Sequence, residues 1–559
     1  MVAKVLALGI DSADWATLGP LVDAGVLPNL AALRARSAFG AVDGSATLRS
    51  EALWNEFATA RTSASQGYWG FASFDPRNYD ARMTTTGAVR PWWALGPEVP
   101  VVALDIPERG FAAEDVAGAQ VIAWGAHAPG FARTSLPDGL LADLDAEYGP
   151  HPAFGRESDP LWYAPAYLEH ATDALVAGAD TRASVLSDLL QRVPDWRLAL
   201  AVWSEEHSGG HYLWHGVDPA SPVHATAPAA QAAEEMMRIH LAVDDAVGRA
   251  VEAAGDATIV VFSLHGMTTN RTDLMTFVML PELAHRLHGG RPALRMPGGA
   301  SWRAAGMPPV VPDPRVQWID HVSSHFARSR PRAVRNAVKR AVPRVAREAL
   351  RRIAGRPGHR PGVLAAPIPE AMPWADAAGG PPPHAPDYMP VWWYRDEWPR
   401  MRWFAVPSFT TGLVRINLRG RERDGLVDPA DYRKVCDEVV ATVSRATCAR
   451  TGRSIVESAS FPRADDPMAP GGSPGDVEFV WSAPVDAIDH PDAGLIGPVP
   501  MHRVGEHSGA GFVMIAGPGV DPVELGTARP IDFAPTILDL LGVARPAGLT
   551  GRSILDGAG

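Results

Sequence analysis

The stretch 198-LALAVWSEEHSGGHYLWHGVD-218 joins an apolar run to several potential metal ligands. Its first six residues are continuously apolar, which is typical of a central strand covered on both faces. Directly behind them come Glu205, His207 and His211. A spacing of four brings two imidazoles to one face of a helix, although Gly209-Gly210 indicates a loop that leads into a helix. Either geometry can bring both imidazoles onto one metal ion.

Other apolar runs of the same kind occur along the chain. They are 3-AKVLALGI-10, 100-PVVALDI-106, 258-TIVVFS-263 and 512-FVMIAG-517. Helical stretches such as 226–255 lie between these runs, and the alternation predicts an α/β fold with a largely parallel sheet. In such sheets function lies beyond the carboxyl ends of the strands. Asp11, His207 and His265 each follow a run at that point.

Composition and charge limit the classes of function. The chain has 559 residues, of which 46% are hydrophobic and 20% charged, as in ordinary soluble globular proteins. The formal net charge of −12 argues against general nucleic-acid binding, which relies on a basic surface. Residues 1–11 lack the features of a secretory leader, and no stretch approaches the ~20 apolar residues of a transmembrane segment.

Cysteine usage predicts a cytoplasmic protein. Cys436 and Cys448 are the only cysteines, and the segment between them has a helical pattern. The roughly twelve residues of helix would span about 18 Å, which is too far for a disulfide bond. Without a disulfide framework, the cytosol is the expected compartment.

One region differs in composition from the rest. Residues 281–400 contain the Arg-rich stretch 327–360 and the Pro-rich stretch 364–388. We interpret 281–400 as an insertion and a candidate cap, in a core made of 1–280 and 401–559. The basic stretch is either a solvated helix face or a binding surface for an acidic partner or membrane.

Several short motifs follow one another in a recognisable order. They are 9-GIDSADW-15, 26-VLPNLAAL-33, 49-RSEALWNEFATA-60, 263-SLHG-266, 412-GLVRINLRGRERDG-425, 505-GEH-507 and 530-PIDFAPTILDLLGVARPAGLTGRSI-554. Together with the histidine pair after 198–203, they resemble the alkaline phosphatase superfamily, in particular the type I phosphodiesterase and nucleotide pyrophosphatase branch. The resemblance runs from residue 5 to 555 and is weakest over 281–400. It implies a three-layer α/β/α core with a largely parallel central sheet.

The resemblance also implies two divalent metal ions and a nucleophilic serine. By position, the first metal would take Asp11, Ser50 and His265. The second would take three histidines, His207, His211 and His507. Imidazole-rich sites suit Zn²⁺, with Fe or Mn as alternatives.

Two positions depart from the family pattern, and each loses a carboxylate. Leu264 stands where the family has an aspartate, and His207 stands where it has another. The first metal then either finds a substitute ligand, with Glu205 and Asn270 as candidates, or binds weakly and leaves a one-metal enzyme. We favour two metals.

The implied chemistry is hydrolysis of a small phosphate or sulfate ester. Metal coordination lowers the pKa of the Ser50 hydroxyl, which then attacks phosphorus or sulfur and forms a covalent intermediate. Candidates for holding the non-bridging oxygens are Arg49, Asn55 and Arg415. Phosphodiesters and nucleotide pyrophosphates are the favoured substrates, with sulfates and phosphomonoesters as alternatives.

Other readings of these residues remain open. Ser50 also suits a helix N-cap, either alone or in addition to a catalytic role. His215 is expected to be structural or to support the ligands, while Trp54 and Trp214 are expected to pack. At the level of function, the rivals are a transferase that passes the Ser50-bound group to an organic acceptor and a non-catalytic metal-binding relative.

Overall fold

The computed structural model shows where the chain forms regular structure. It describes residues 3–44, 50–68, 72–83, 90–107, 116–125, 133–153, 161–296, 298–313, 318–326, 389–469 and 472–557. The whole Arg-rich stretch and the whole Pro-rich stretch lie outside the described residues, as does Arg49. Ser50 is described by its backbone only.

The strands and helices alternate along the first half of the chain. The strands are β1 Val5–Ile10, β2 Ala38–Asp43, β3 Ala72–Asp75, β4 Asp80–Met83, β5 Gly96–Leu104, β6 Val116–Ile122, β7 Thr134–Leu136, β8 Leu198–Trp203, β9 Thr258–Ser263, β10 Gly266–Thr269, β11 Trp403–Val406, β12 Gly412–Ile416, β13 Thr447–Cys448, β14 Val456–Ser460, β15 Val477–Trp481, β16 Ile488–His490, β17 Gly494–Ile496, β18 Gly505–Ser508 and β19 Ala510–Ala516. The α-helices are α1 Trp15–Asp23, α2 Pro28–Arg34, α3 Ser50–Thr59, α4 Ser63–Gln66, α5 Leu140–Tyr148, α6 Pro165–Arg192, α7 Glu205–Val217, α8 Pro228–Ala254, α9 Leu280–Gly289, α10 Gly299–Ala304, α11 Trp318–Ser323, α12 Tyr432–Val443 and α13 Phe533–Leu541. Short 3₁₀ or π turns cover Met275–Met279, Pro390–Arg400, Pro429–Asp431, Pro530–Asp532 and Ile554–Gly557.

An eight-stranded sheet organises the molecule, in the order β2-β19-β9-β1-β8-β5-β6-β7. Strands β9, β1, β8, β5 and β6 are parallel to one another. Strand β19 runs antiparallel to both β9 and β2, and β7 runs antiparallel to β6. All five runs singled out in the sequence are strands of this sheet, which confirms the predicted, largely parallel α/β fold.

Alternate residues of the central strands pack into two separate hydrophobic clusters. In β1, Leu6 and Leu8 join the cluster formed with α6 and α8. The intervening Val5 and Ala7 join a second cluster with α3 and α13. Because strand side chains alternate between faces, these clusters lie on opposite sides of the sheet. The core therefore has three layers, and each fully buried leucine stabilises it by roughly 1.5–3 kcal/mol.

Helix α7 follows β8 and runs unbroken through Gly209-Gly210, so the loop predicted there is wrong. A Cβ at Gly209 would lie 2.5 Å from Ile239 of α8, and one at Gly210 would lie 2.5 Å from Met267 of β10. These glycines let α7 pack closely against its neighbours. Tertiary contact has outweighed the low helix propensity of glycine.

A second, four-stranded sheet lies outside the central one, in the order β11-β12-β15-β14. Its pairings are all antiparallel. In the chain, this sheet lies between β10 and β18, which pair with each other. The Trp481 indole of β15 donates to the Thr276 hydroxyl at 3.2 Å, which links the second sheet to the segment that follows β10.

The helix predicted over 436–448 ends at Val443, and Cys448 lies in strand β13. Both cysteines are buried and free. Among the described residues, no single helix is long and apolar enough to cross a membrane. The bent pair α1 and α2 reaches the threshold by length and composition when taken together.

We predict that Gly216→Ala destabilises the protein. A Cβ at Gly216 would lie 2.3 Å from the Ala233 nitrogen and 2.5 Å from the Ala229 oxygen, and backbone atoms of α8 cannot turn away as a side chain can. The free energy of unfolding should fall by at least about 1–3 kcal/mol, measured by urea denaturation. The control is Gly526→Ala, whose Cβ would meet no heavy atom within 4 Å. Equal stability of the two variants would contradict the close packing of α7 on α8.

Candidate active site at the carboxyl edge of the sheet

Three adjacent parallel strands deliver the site residues to one edge of the sheet. Asp11 follows β1, His207 and His211 lie in α7 behind β8, and His265 follows β9. His507 belongs to β18, just before β19. Since β19 runs antiparallel to β9, its beginning lies at the edge where the parallel strands end. All five side chains therefore meet at this edge.

Three imidazoles form a cluster with the geometry of a metal site. One ligand nitrogen from each of His207, His211 and His507 lies within 4.8 Å of the other two. The Nε2 atoms of His207 and His211 are 2.7 Å apart, and those of His207 and His507 are 3.1 Å apart. His207 and His211 are buried, whereas His507 is partly exposed. We call these three residues the imidazole triad.

The second nitrogen of two triad rings is held by an oxygen acceptor. His207 Nδ1 lies 2.7 Å from Asp11 Oδ2, and His211 Nδ1 lies 3.0 Å from the Gly505 carbonyl oxygen. Such partners require a proton on Nδ1 and leave Nε2 as the free electron-pair donor. The donor set therefore fits a divalent cation of the zinc type.

Burial and nearby positive charge favour the neutral, ligating form of two triad histidines, His211 and His507. Burial lowers the pKa of His211, and the Arg503 charge lowers it further. Burial and the neighbouring His265 and His207 likewise lower the pKa of His507. Burial alone would raise the pKa of Asp11, but His207 and His265 bring it well below its ordinary value. Neutral imidazoles beside an ionised carboxylate are the protonation state that metal binding requires.

His265 and Asp11 form the other half of the site. His265 Nε2 lies 3.2 Å from Asp11 Oδ1, but it is buried without an aligned hydrogen bond among the described groups. Its Nδ1 lies 3.4 Å from the Ser12 hydroxyl. The Trp54 indole donates to Asp11 Oδ1 at 3.0 Å. Leu264 is fully buried in the second hydrophobic cluster and offers no ligand atom.

The structure brings one charged group to the triad that the sequence analysis missed. The Arg503 guanidinium approaches His211 Nε2 through Nη1 at 3.2 Å. Its Nε and Nη2 donate to the two oxygens of Asp273, at 2.9 and 3.0 Å. His502 also contacts Asp273, at 2.9 Å. The closeness of Arg503 to the 505–507 motif is the signal that could have pointed to it.

Glu205 lies in a different cluster from the triad. Its Oε1 accepts from Arg182 at 3.1 Å and contacts His151 at 2.9 Å, while Arg182 also donates to Asp105 at 2.7 Å. Glu205 begins α7, and residues two apart on a helix do not face the same way. The structure thus separates Glu205 from His207 in spite of their closeness in sequence.

Asn270, Asn55 and Arg415, which were proposed as ligands or substrate contacts, each interact with groups outside the triad. Asn270 caps a turn, because its Oδ1 accepts from the Thr272 and Asp273 amides. Asn55, in α3, donates to Gln66 at 3.2 Å. Arg415 lies in the four-stranded sheet and pairs with Glu422 at 2.7 Å.

His215 and the two tryptophans are buried. Trp54 and Trp214 are each 5% exposed or less, in keeping with packing roles. His215 is fully buried, and neither ring nitrogen has a hydrogen-bond partner among the described groups. Burial and the nearby His224 lower its pKa to about 3. His215 is therefore a neutral core residue rather than part of the triad.

The sequence model of the type I phosphodiesterase / nucleotide pyrophosphatase family matches residues 5–356, which is more than half of the chain. The chain belongs to this family. Membership confirms the predicted family and makes the chain a phosphodiesterase- and pyrophosphatase-type hydrolase of the alkaline phosphatase superfamily. The match includes Asp11, His207, His211 and His265, whereas His507 lies beyond it.

Three solved structures are distant matches to the chain. No curated protein sequence matches the chain. Murine ectonucleotide pyrophosphatase / phosphodiesterase 5 is 10% identical, with 97% of this chain and 96% of that chain covered and a TM-score of 0.42. The human protein of that name is 9% identical, with 99% of this chain and 98% of that chain covered and a TM-score of 0.44. Phosphonoacetate hydrolase from Sinorhizobium meliloti 1021, in complex with phosphonoformate, is 12% identical, with 97% of this chain and 95% of that chain covered and a TM-score of 0.41. The family assignment rests on the sequence match alone.

We predict that Asp11→Asn weakens divalent-metal binding about 10- to 100-fold. The Asp11 carboxylate holds the proton on His207 Nδ1 and so directs Nε2 into the triad. Competition with a chromogenic chelator measures the affinity. Asp14→Asn is the control, because Asp14 only caps α1 through the Ala16 amide. Unchanged affinity in Asp11→Asn would contradict this role of the carboxylate.

We predict that His215 makes the metal-free protein sensitive to acid. Its pKa falls from 6.5 to about 3 on folding, so the unfolded chain takes up a proton that the folded chain excludes. This contribution to stability is complete above pH 6.5 and is lost as the pH falls towards 3. Its loss between pH 8 and pH 5 is about 2 kcal/mol.

The measurement compares urea midpoints at pH 8 and pH 5. His215→Phe should narrow the difference between the two pH values. The control His170→Gln, in partly exposed α6, should keep the full difference. If the stability of His215→Phe falls between pH 8 and pH 5 by as much as that of the unmodified chain, other groups cause the fall.

Proposed function

We propose that the chain hydrolyses phosphate esters at a divalent-metal centre, with phosphodiesters or nucleotide-like pyrophosphates as the favoured substrates. The main support is the convergence of His207, His211 and His507 beside the Asp11 carboxylate. Three imidazole nitrogens within 4.8 Å of one another suit Zn²⁺, with Fe or Mn as alternatives. Membership of the type I phosphodiesterase family supports the reaction class.

A second cation would have Asp11, His265 and Ser50 as its ligands. The buried, unaligned His265 Nε2 supports a ligand there. Leu264 contributes no donor, so this cation would have fewer protein ligands than one at the triad. We therefore expect two cations of unequal affinity. When bound, they would stabilise charge on the phosphoryl oxygens and lower the pKa of a coordinated hydroxyl.

Ser50 is the proposed nucleophile. It begins α3, one turn before Trp54, and residues four apart on a helix are neighbours at about 5–6 Å. The Trp54 indole donates to Asp11, and this helical spacing supports a role for residue 50 at the same site. The amino end of a helix also favours an anionic phosphoryl group.

The proposed reaction has two displacement steps. First, the Ser50 oxygen bonds to phosphorus while the bond to the leaving oxygen breaks. The serine proton passes to solvent, and the leaving oxygen gains a proton from solvent. Second, a water oxygen attacks phosphorus, the bond from Ser50 to phosphorus breaks, and Ser50 is protonated again. A sulfate ester would follow the same two steps at sulfur.

We predict that Ser50→Ala lowers kcat for the best substrate by at least about a thousandfold. The panel consists of aryl phosphodiesters, nucleotide pyrophosphates, aryl phosphomonoesters and aryl sulfates, with elemental analysis of each protein sample. The variant should retain the cation at the triad, since Ser50 is not part of it. Ser65→Ala, at an exposed serine of α4, is the control and should keep full activity.

The outcomes separate hydrolysis from its rivals. Release of the leaving alcohol without any organic acceptor, with the phosphoryl group transferred to water, supports a hydrolase. Release of the leaving alcohol only when an organic alcohol is present, with the phosphoryl group recovered on that alcohol, would instead indicate a transferase. A protein with neither bound metal nor activity on any member of the panel would contradict the proposal.

A further inference from the structure

Arg503 is held rigidly at the edge of the triad. Two of its guanidinium nitrogens donate to the two oxygens of Asp273, in the bidentate geometry that fixes the plane of the group. Burial alone would raise the pKa of Asp273, but the Arg503 and His502 charges lower it. Asp273 is therefore ionised, and the guanidinium has one fixed orientation.

The third nitrogen of Arg503 is directed into the triad. Nη1 lies 3.2 Å from His211 Nε2. Because His211 Nδ1 holds its proton for the Gly505 carbonyl, Nε2 is an acceptor and Nη1 is the donor. That electron pair is the one a divalent cation would use, so cation binding would release the Nη1 hydrogens towards a new acceptor.

Charge decides what that acceptor must be. A guanidinium beside a divalent cation is repelled unless an anion lies between the two. Asp273 already shares its charge with two Arg503 nitrogens and with His502. Asp11 faces the other side of the triad, through His207. An oxyanion of the substrate is an anion that can lie between the guanidinium and the cation and accept from Nη1.

We propose that Arg503 binds a non-bridging oxygen of the tetrahedral phosphoryl group while that group is held at the triad. This inference rests on the proposed function and extends it, because it names the cation that recognises the substrate. Arg503 is 8% exposed, and its neighbour His507 is partly exposed, so this edge of the triad retains some contact with solvent. Asp273 then acts as a positioning residue, since it orients the guanidinium without contacting the substrate.

The test is equilibrium binding of inorganic phosphate to the metal-loaded protein, measured by titration calorimetry alongside KM and kcat. Arg503→Lys keeps a positive charge beside Asp273 but loses the planar guanidinium group and its two parallel N–H donors. Arg503→Met combined with Asp273→Asn removes both charges, so that no buried carboxylate is left unpaired. Phosphate binding should weaken about 10- to 100-fold in the double variant and by a smaller factor in Arg503→Lys.

Arg450 provides a matched control. It makes a similar bidentate pair with Asp486, at 2.8 and 2.5 Å, outside the site. Arg450→Lys should bind phosphate as the unmodified protein does. The metal content of every variant is measured in the same samples, because an arginine that merely supported His211 would change metal binding and leave phosphate binding per bound metal unaltered.

The outcomes distinguish this inference from the proposed function. Weaker phosphate binding with full metal content supports the role of Arg503, whether or not an ester is turned over. Unchanged phosphate binding in the double variant overturns it, even if the unmodified protein hydrolyses phosphodiesters. Absence of phosphate binding by the unmodified, metal-loaded protein also overturns it.

Discussion

The hydrogen bond between Asp11 and His207 joins the end of one central strand to the helix behind its neighbour, and the rest of the site is arranged around it. Asp11 is fixed by β1 and by the Trp54 indole. His207 is fixed by α7, whose glycines allow contact with α8 and β10. Each partner therefore reaches the 2.7 Å contact from a rigid element, which is what a preorganised metal site requires. Displacement of α7 would move His211 as well.

The loss of two carboxylates gives this centre an unusual charge balance. Asp11 is the carboxylate that contacts the triad within the described part of the chain, so a divalent cation bound there would leave a net positive charge. Arg503 adds a further positive charge, which Asp273 balances. A pocket of this kind favours anionic substrates through its local charge, although the whole chain carries a net charge of −12.

The convergence of part of the candidate site could be predicted from sequence because Asp11, His207 and His265 each follow an apolar run. Asp11 and His265 lie at the ends of strands that were evident from composition alone. The separation of Glu205 from His207 was not evident from the sequence. The Gly209-Gly210 pair indicated a loop, so the sequence did not show where α7 begins or which of its side chains share a face. For Arg503 the sequence offered closeness to the 505–507 motif as a signal, but its place beside the triad depends on how β18 pairs with β10, a contact between distant parts of the chain. Tertiary pairing of this kind leaves no local pattern.

The antiparallel direction of β19 has a consequence for how the protein is made. β19 inserts between β2 and β9, which are both formed from earlier parts of the chain. Until the ribosome has released this late segment, the growing sheet keeps an open edge at β9, and the third imidazole is missing. Vectorial synthesis therefore completes the candidate metal pocket after the rest of the central sheet has been translated. An unfinished chain would have a partly built sheet but no complete triad to capture a cation.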